Sequence, residues 1–181
     1  MRKISLAFVL FGFLGLGSEL ILAISTEPPS LDPTTNAAAV IGLLLLGNLY
    51  ETLVTVDEEG HFQPGLARSW EISEDGKNYT FYLRKHVFFH DGTVCDAEAV
   101  RKSFMRAKSR ERGIVHPEYY EGIEAIEVLD NLTVRFVLAE PDAAFLALLA
   151  FRNSVVVPDR DDLGKNPVGT GPFRFDRWDP G

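Results

Sequence analysis

The chain has 181 residues, 46% of them hydrophobic and 24% charged, which suits one ordinary domain with a core. Its 18 Lys and Arg against 26 Asp and Glu give a formal net charge of −8 with both signs interspersed. That balance argues against a nucleic-acid partner, and the acidity reads as a solubility property.

Met1, Arg2 and Lys3 form a short basic start, and residues 4–16 carry no charge. Gly15 and Gly17 place small residues where a signal peptidase reads, so residues 1–17 are expected to be a cleaved signal peptide. The competing reading is a membrane anchor running to Ile24. It must carry Glu19, and the uncharged run before Glu19 is shorter than the roughly 20 residues of a bilayer span. Cys95 is the single cysteine. It excludes an intrachain disulfide, lies away from the leader where a lipid would be attached, and sits between Val94 and Ala97 as a small buried hydrophobe.

Residues 19–24 are a strand candidate, stopped by Pro28 and Pro29, which cannot donate to a ladder. Asn36 can cap a helix expected to run to about Glu51, apolar on nearly every face up to Leu46 and therefore buried. Trp70, Glu71 and Ile72 lead through the turn at Glu74, Asp75, Gly76 and Lys77 into a strand. In that strand Tyr79, Phe81 and Leu83 alternate with Asn78, Thr80, Tyr82 and Arg84. Residues 85–90 are expected to continue it into a second turn at residues 88–93. Asp96 is the N-cap of the next helix, with Ala97, Val100, Phe104 and Ala107 on one stripe and Arg101, Lys102, Arg106 and Lys108 elsewhere. Ala99 removes the capping box.

A polar stretch at 108–117 gives way to a hairpin, in which residues 123–128 and 132–138 flank a turn at Asp130 and Asn131. Residues 143–150 read as a short apolar helix, 155–157 as a buried strand and 159–167 as a polar connection. Gly169 and Gly171 bracket Thr170, which calls for φ > 0 or close backbone approach, and Pro172 fixes entry into a last strand.

Several of these blocks together resemble one family. They are Leu66-Ala67, Ser69-Trp70-Glu71, Ser73, Asp75-Gly76-Lys77, Tyr79, Phe81 and Leu83-Arg84, followed by Phe89, Asp91-Gly92 and Thr93. To these add Glu27-Pro28-Pro29-Ser30-Leu31-Asp32-Pro33, Asn48-Leu49-Tyr50-Glu51 with Leu53, and Gly169-Thr170-Gly171-Pro172-Phe173. The pattern resembles the extracellular solute-binding proteins, family 5, which feed ABC importers of peptides, nickel and oligosaccharides. The resemblance covers residues 19–181 and only the N-terminal part of that longer family.

The resemblance implies an α/β, periplasmic binding protein-like (type II) two-lobe fold, with only its N-terminal part present. By that analogy residues 18–47 open lobe I, 48–166 form an inserted small domain, and 167–181 return to lobe I. It implies a secreted, periplasmic or extracellular monomer that captures a peptide, nickel complex or oligosaccharide and delivers it to an ABC permease, without cofactor and without breaking a bond. The alternative from another class is a secreted or membrane-anchored interaction module that binds no solute.

No catalytic constellation stands out. Four histidines invite a metal reading, but positions four apart on a strand, as His86 and His90 are expected to be, lie about 13 Å from each other. Glu58-Glu59 and Asp161-Asp162 are loop charges, and the glycine turn lacks the lysine of a phosphate loop. Trp70, Tyr79, Phe81, Phe136 and Phe173 occur at strand spacing and are expected in the core. For solute contact, polar groups at strand ends and loop breaks are the candidates. Those are Ser25, Thr26 and Glu27 after the first strand, and Arg152, Asn153 and Ser154 between an apolar helix and a buried strand.

Overall fold

The alternation through Tyr79, Phe81 and Leu83 produces the central strand of an antiparallel sheet, and the rest of the architecture is built around it. The computed structural model describes residues 2–6, 19–22, 29–35, 42 and 45–179. In chain order its strands are Arg2–Leu6 (β1), Glu19–Leu22 (β2), Val54–Val56 (β3), Phe62–Pro64 (β4), Ala67–Ile72 (β5), Asn78–Leu83 (β6), Ile123–Asp130 (β7), Thr133–Leu138 (β8) and Phe173–Trp178 (β9). Its helices are Ala97–Ala107 (α1) and Phe145–Ala150 (α2), with a 3-10 turn at Pro117–Tyr120.

The four-stranded sheet has the order β5-β6-β8-β7, all neighbours antiparallel. In it Phe81 opposes Trp70 on one side and Val134 on the other. Helix α1 lies across β7 and β8 and buries Ala97, Val100, Phe104 and Ala107, the expected stripe. The Phe136 ring meets Phe104 at 5.0 Å and Phe81 at 5.7 Å edge-on, with Phe145 of α2 at 5.6 Å. These offset and edge contacts are the geometry aromatic quadrupoles favour. Tyr79, Phe81 and Phe136 are fully internal, as expected, while Trp70 and Phe173 pack on the rim of the core.

A second sheet is parallel, in the order β2-β1-β9. Its middle strand falls within the segment expected to be a leader, pairing Lys3 with Glu19 and with Arg174. The helical segment before Tyr50 ends early. Leu46 bonds back to Gly42, but Gly47 adopts φ 75° and the chain closes a tight loop in which Leu46 bridges Tyr50. The expected extension to Glu51 is therefore corrected by a left-handed glycine, a common way for a helix to stop. No helix among the described residues is long and apolar enough to cross a membrane.

Three further expectations change. Residues 85–90 do not prolong β6, because His86 turns the backbone left-handed at φ 58°. Val155, Val156 and Val157 are buried as expected, yet Val155 makes only an isolated bridge to Thr52 and no ladder forms. Arg106, expected off the apolar stripe of α1, is nevertheless only 4% exposed. The buried arc of the helix is wider than its apolar stripe and takes in Ser103 and Arg106.

Candidate functional site

The loop at residues 29–35 is held from several directions. Asp32 Oδ1 accepts from the Thr34 amide at 2.8 Å and from the Thr34 hydroxyl at 2.6 Å, an Asx turn. Asp32 Oδ2 accepts from Arg106 Nη2 of α1 at 2.9 Å, with both side chains 3% exposed, and Arg106 Nη1 donates to the Thr34 hydroxyl. The loop backbone is fastened by Leu31 N–H to Gly164 C=O at 3.0 Å and by Val115 N–H to Thr34 C=O at 2.8 Å. The Tyr50 hydroxyl donates to Leu31 C=O at 3.3 Å, and burial, with the nearby Asp32 charge, raises its pKa well above the ordinary phenol value. A groove of about 370 Å³ opens beside this cluster, lined by Ser30, Asp32, Thr35, Arg106, Glu111 and Arg112.

Residues 152–154 meet that loop. Asn153 is 5% exposed, and its Nδ2 donates to Pro33 C=O at 2.5 Å. Ser154 is buried, donates to Leu148 C=O at 2.5 Å and shares a 2.9 Å bond with the Tyr120 hydroxyl. Burial pushes that phenol up to about 12, so it stays a neutral partner at any ordinary pH. Arg152 differs from both. It is half-buried, its stem lies where a Cβ on Gly42 would sit 2.0 Å from Cδ, and its guanidinium stacks on the Phe151 ring at 4.7 Å. Among the described residues no carboxylate pairs with it. Ser25, Thr26 and Glu27 lie outside the described residues.

Among the described residues no group of three or more His, Cys, Asp or Glu could hold a metal. His90 has both ring nitrogens engaged by backbone groups, Cys95 is buried and its thiol is pushed up to about 12, and His61 and His116 lie beside single carboxylates. Sequence reasoning missed the Asp32–Arg106–Thr34 cluster. The arginine sits in a basic-looking stretch of α1, and its partner is 74 residues away.

Residues 61–181 match the bacterial extracellular solute-binding proteins, family 5 Middle. The chain belongs to this family. The glutathione-binding protein GsiB of Salmonella paratyphi A is 30% identical over 166 residues, which are 88% of this chain and 32% of that protein. The structure of AgaA from A. tumefaciens R10 in complex with agropinic acid superposes with a TM-score of 0.80 at 30% identity, covering 99% of this chain and 34% of the other. DppA from Helicobacter pylori in complex with a peptide does so with a TM-score of 0.73 at 30% identity, covering 98% and 37%. These solved relatives establish the periplasmic binding protein-like α/β fold of this family 5 chain. The chain spans about a third of the length of the relatives it matches.

Proposed function

We propose that this chain supplies one wall of a solute-binding protein that captures a small, carboxylate-bearing, peptide-like solute outside the cytoplasmic membrane for delivery to an ABC permease. Arg152 carries the reading. A half-buried guanidinium with a ring beneath it and, among the described residues, no carboxylate paired with it is poised for an external carboxylate, the group arginine engages in bidentate fashion. Asn153 and Ser154 hold the loop that presents it, by tying it to Pro33 and to Tyr120. Ser25, Thr26 and Glu27, in the segment after β2, are proposed as further solute contacts. The ligands named for the family relatives, glutathione, agropinic acid and a peptide, all carry carboxylates, which supports this solute class. The shared sheet of β2 and β9 supports residues 167–181 returning to the lobe that residues 18–47 begin.

Binding of this kind works by domain closure over the solute and breaks no bond. NMR titration of the 181-residue chain with millimolar glutathione and with its C-terminally amidated form tests it. Expected are shifts at residues 29–35 and 151–154 that weaken with the amide and vanish in Arg152→Ala. Shifts confined to the sheet of β5, β6, β8 and β7, or an Arg152→Ala variant that responds like the parent, overturn the proposal.

A further inference from the structure

His90 takes no part in the contact around Arg152, yet it is held on three sides by one turn. Its peptide N–H donates to Gly169 C=O at 2.9 Å, and its Nδ1 accepts from Gly169 N–H at 3.2 Å. Its Nε2 lies 2.9 Å from Gly171 C=O. A backbone N–H can only donate and a carbonyl can only accept, so the ring proton sits on Nε2 and Nδ1 is bare. The turn it grips is pressed against the segment after the early-ending helix, since Gly171 N–H donates to Leu49 C=O and Phe173 N–H to Asn48 C=O, both at 3.0 Å. From there the chain enters β9.

We propose that His90 is a pH-operated latch that ties the hairpin at residues 88–94 to the turn at residues 169–171, closed while its ring is neutral and released when Nδ1 takes a proton. An imidazolium carries N–H on both nitrogens, so Nδ1–H then faces the Gly169 N–H and two donors meet head-on. At 9% exposure the ring cannot turn away to water without leaving the turn, so the clash is relieved by opening the contact. Of the charged groups around the ring, Arg174 on β9 opposes the second proton, while Asp91 in the hairpin and Glu51 beyond Tyr50 favour it. Glu51 is already paired with Arg84 at 2.8 Å, and an open groove of about 660 Å³ is lined by Arg84, Lys85 and His86 together with His90 and Gly171, so solvent reaches the edge of the latch and supplies the proton.

Burial is the largest influence on the ring and lowers its pKa from the ordinary value. With the folded pKa below the unfolded one, the unfolded chain takes the proton first. The latch's contribution to stability is thus complete above about pH 6.5 and is lost as pH falls below that toward the folded value.

Imidazole and amide NMR of the full chain between pH 7.5 and 5 tests the latch. Expected are the Nε2–H tautomer and a His90 midpoint below about 6.5. The Gly169 amide should move with the same midpoint, and its exchange protection should fall by about tenfold, the loss of one net hydrogen bond. In His90→Asn, Oδ1 keeps an acceptor for Gly169 without titrating, so the acid response at Gly169 disappears. An Nδ1–H tautomer, a midpoint at or above the ordinary value, a Gly169 amide indifferent to the ring's titration, or an acid response that survives in a folded His90→Asn variant overturns it. Should the variant not fold, the titration of the unaltered chain decides alone.

Discussion

Arg106 is a cation in a helix that already carries Arg101 and Lys102 on its solvent side, but it points inward and meets Asp32. Removing one partner of such a pair leaves an uncompensated charge in the interior, which costs about 3–5 kcal/mol, whereas replacing both by apolar groups can be nearly neutral. Asp32→Asn is therefore expected to lower the urea-unfolding free energy by on the order of 3 kcal/mol while keeping the side-chain shape. Asp32→Leu combined with Arg106→Met should recover most of that loss, and a double variant as unstable as the single would refute the pairing. At this scale the sequence is unevenly legible. Cys95 and the aromatic core residues lie where their surroundings in the chain put them, because burial of apolar groups follows local pattern. For Gly169 and Gly171 the pattern left two reasons open, and the structure selects close approach. A Cβ would lie 2.0 Å from Leu49 O at Gly169 and 2.3 Å from Asn48 O at Gly171, while neither has a positive φ. The Asp32–Arg106 pair was not legible because contacts across 74 residues leave no local periodicity.

Elements with a strong period were legible, and those set by single residues or by partners were not. The β6 alternation and the α1 stripe translate directly into a buried strand and a helix lying on it. Asp96 caps α1 as expected, accepting from Ala99 N–H at 2.9 Å. With alanine at residue 99 there is no reciprocal bond, so the cap rests on one side chain. Asp96→Ala should lower stability by about 1 kcal/mol in urea titration, and a change within error would show that packing alone fixes the helix start. The 155–157 run, by contrast, has the right residues for a strand but pairs only at the Thr52–Val155 bridge and the Val156 N–H to Glu51 C=O bond, since a ladder needs an extended partner that composition does not supply. Strand β1 raises a test of the expected leader. If residues 1–17 are removed after Gly17, β2 and β9 lose the strand between them, and their freed backbone groups turn to water. Hydrogen exchange of a chain starting at Ser18 should then show residues 19–22 and 173–178 exchanging far faster than β6 and β8. Equal protection in both sheets would mean that β1 contributes nothing to this pairing.

At the scale of the whole molecule, the proposed role as one wall of a binding site limits what the chain can bind by itself. Pockets that hold small solutes remove most of the ligand's surface from water, and affinity rises steeply with that enclosure. The described residues offer a stacked arginine and a clamped loop, but the grooves on this chain are open, one beside the Asp32–Arg106 pair and the other lined by Arg84, His86, Phe88 and Phe89. An exposed ion pair formed between Arg152 and a solute carboxylate is worth at most about 1 kcal/mol in water. That falls far short of the roughly 8 kcal/mol behind a micromolar complex. We therefore expect calorimetry of the 181-residue chain with glutathione, dipeptides, nickel-histidine or oligosaccharides to give no isotherm at micromolar concentration, even as millimolar peptide shifts the Arg152 loop in NMR. Higher affinity must come from enclosure. Adding a second wall desolvates the arginine and its partner together, and an ion pair strengthens as the effective dielectric falls. A micromolar or tighter isotherm from this chain alone would show that its own residues already enclose the solute, and would move the recognition site away from a contact shared with further chain.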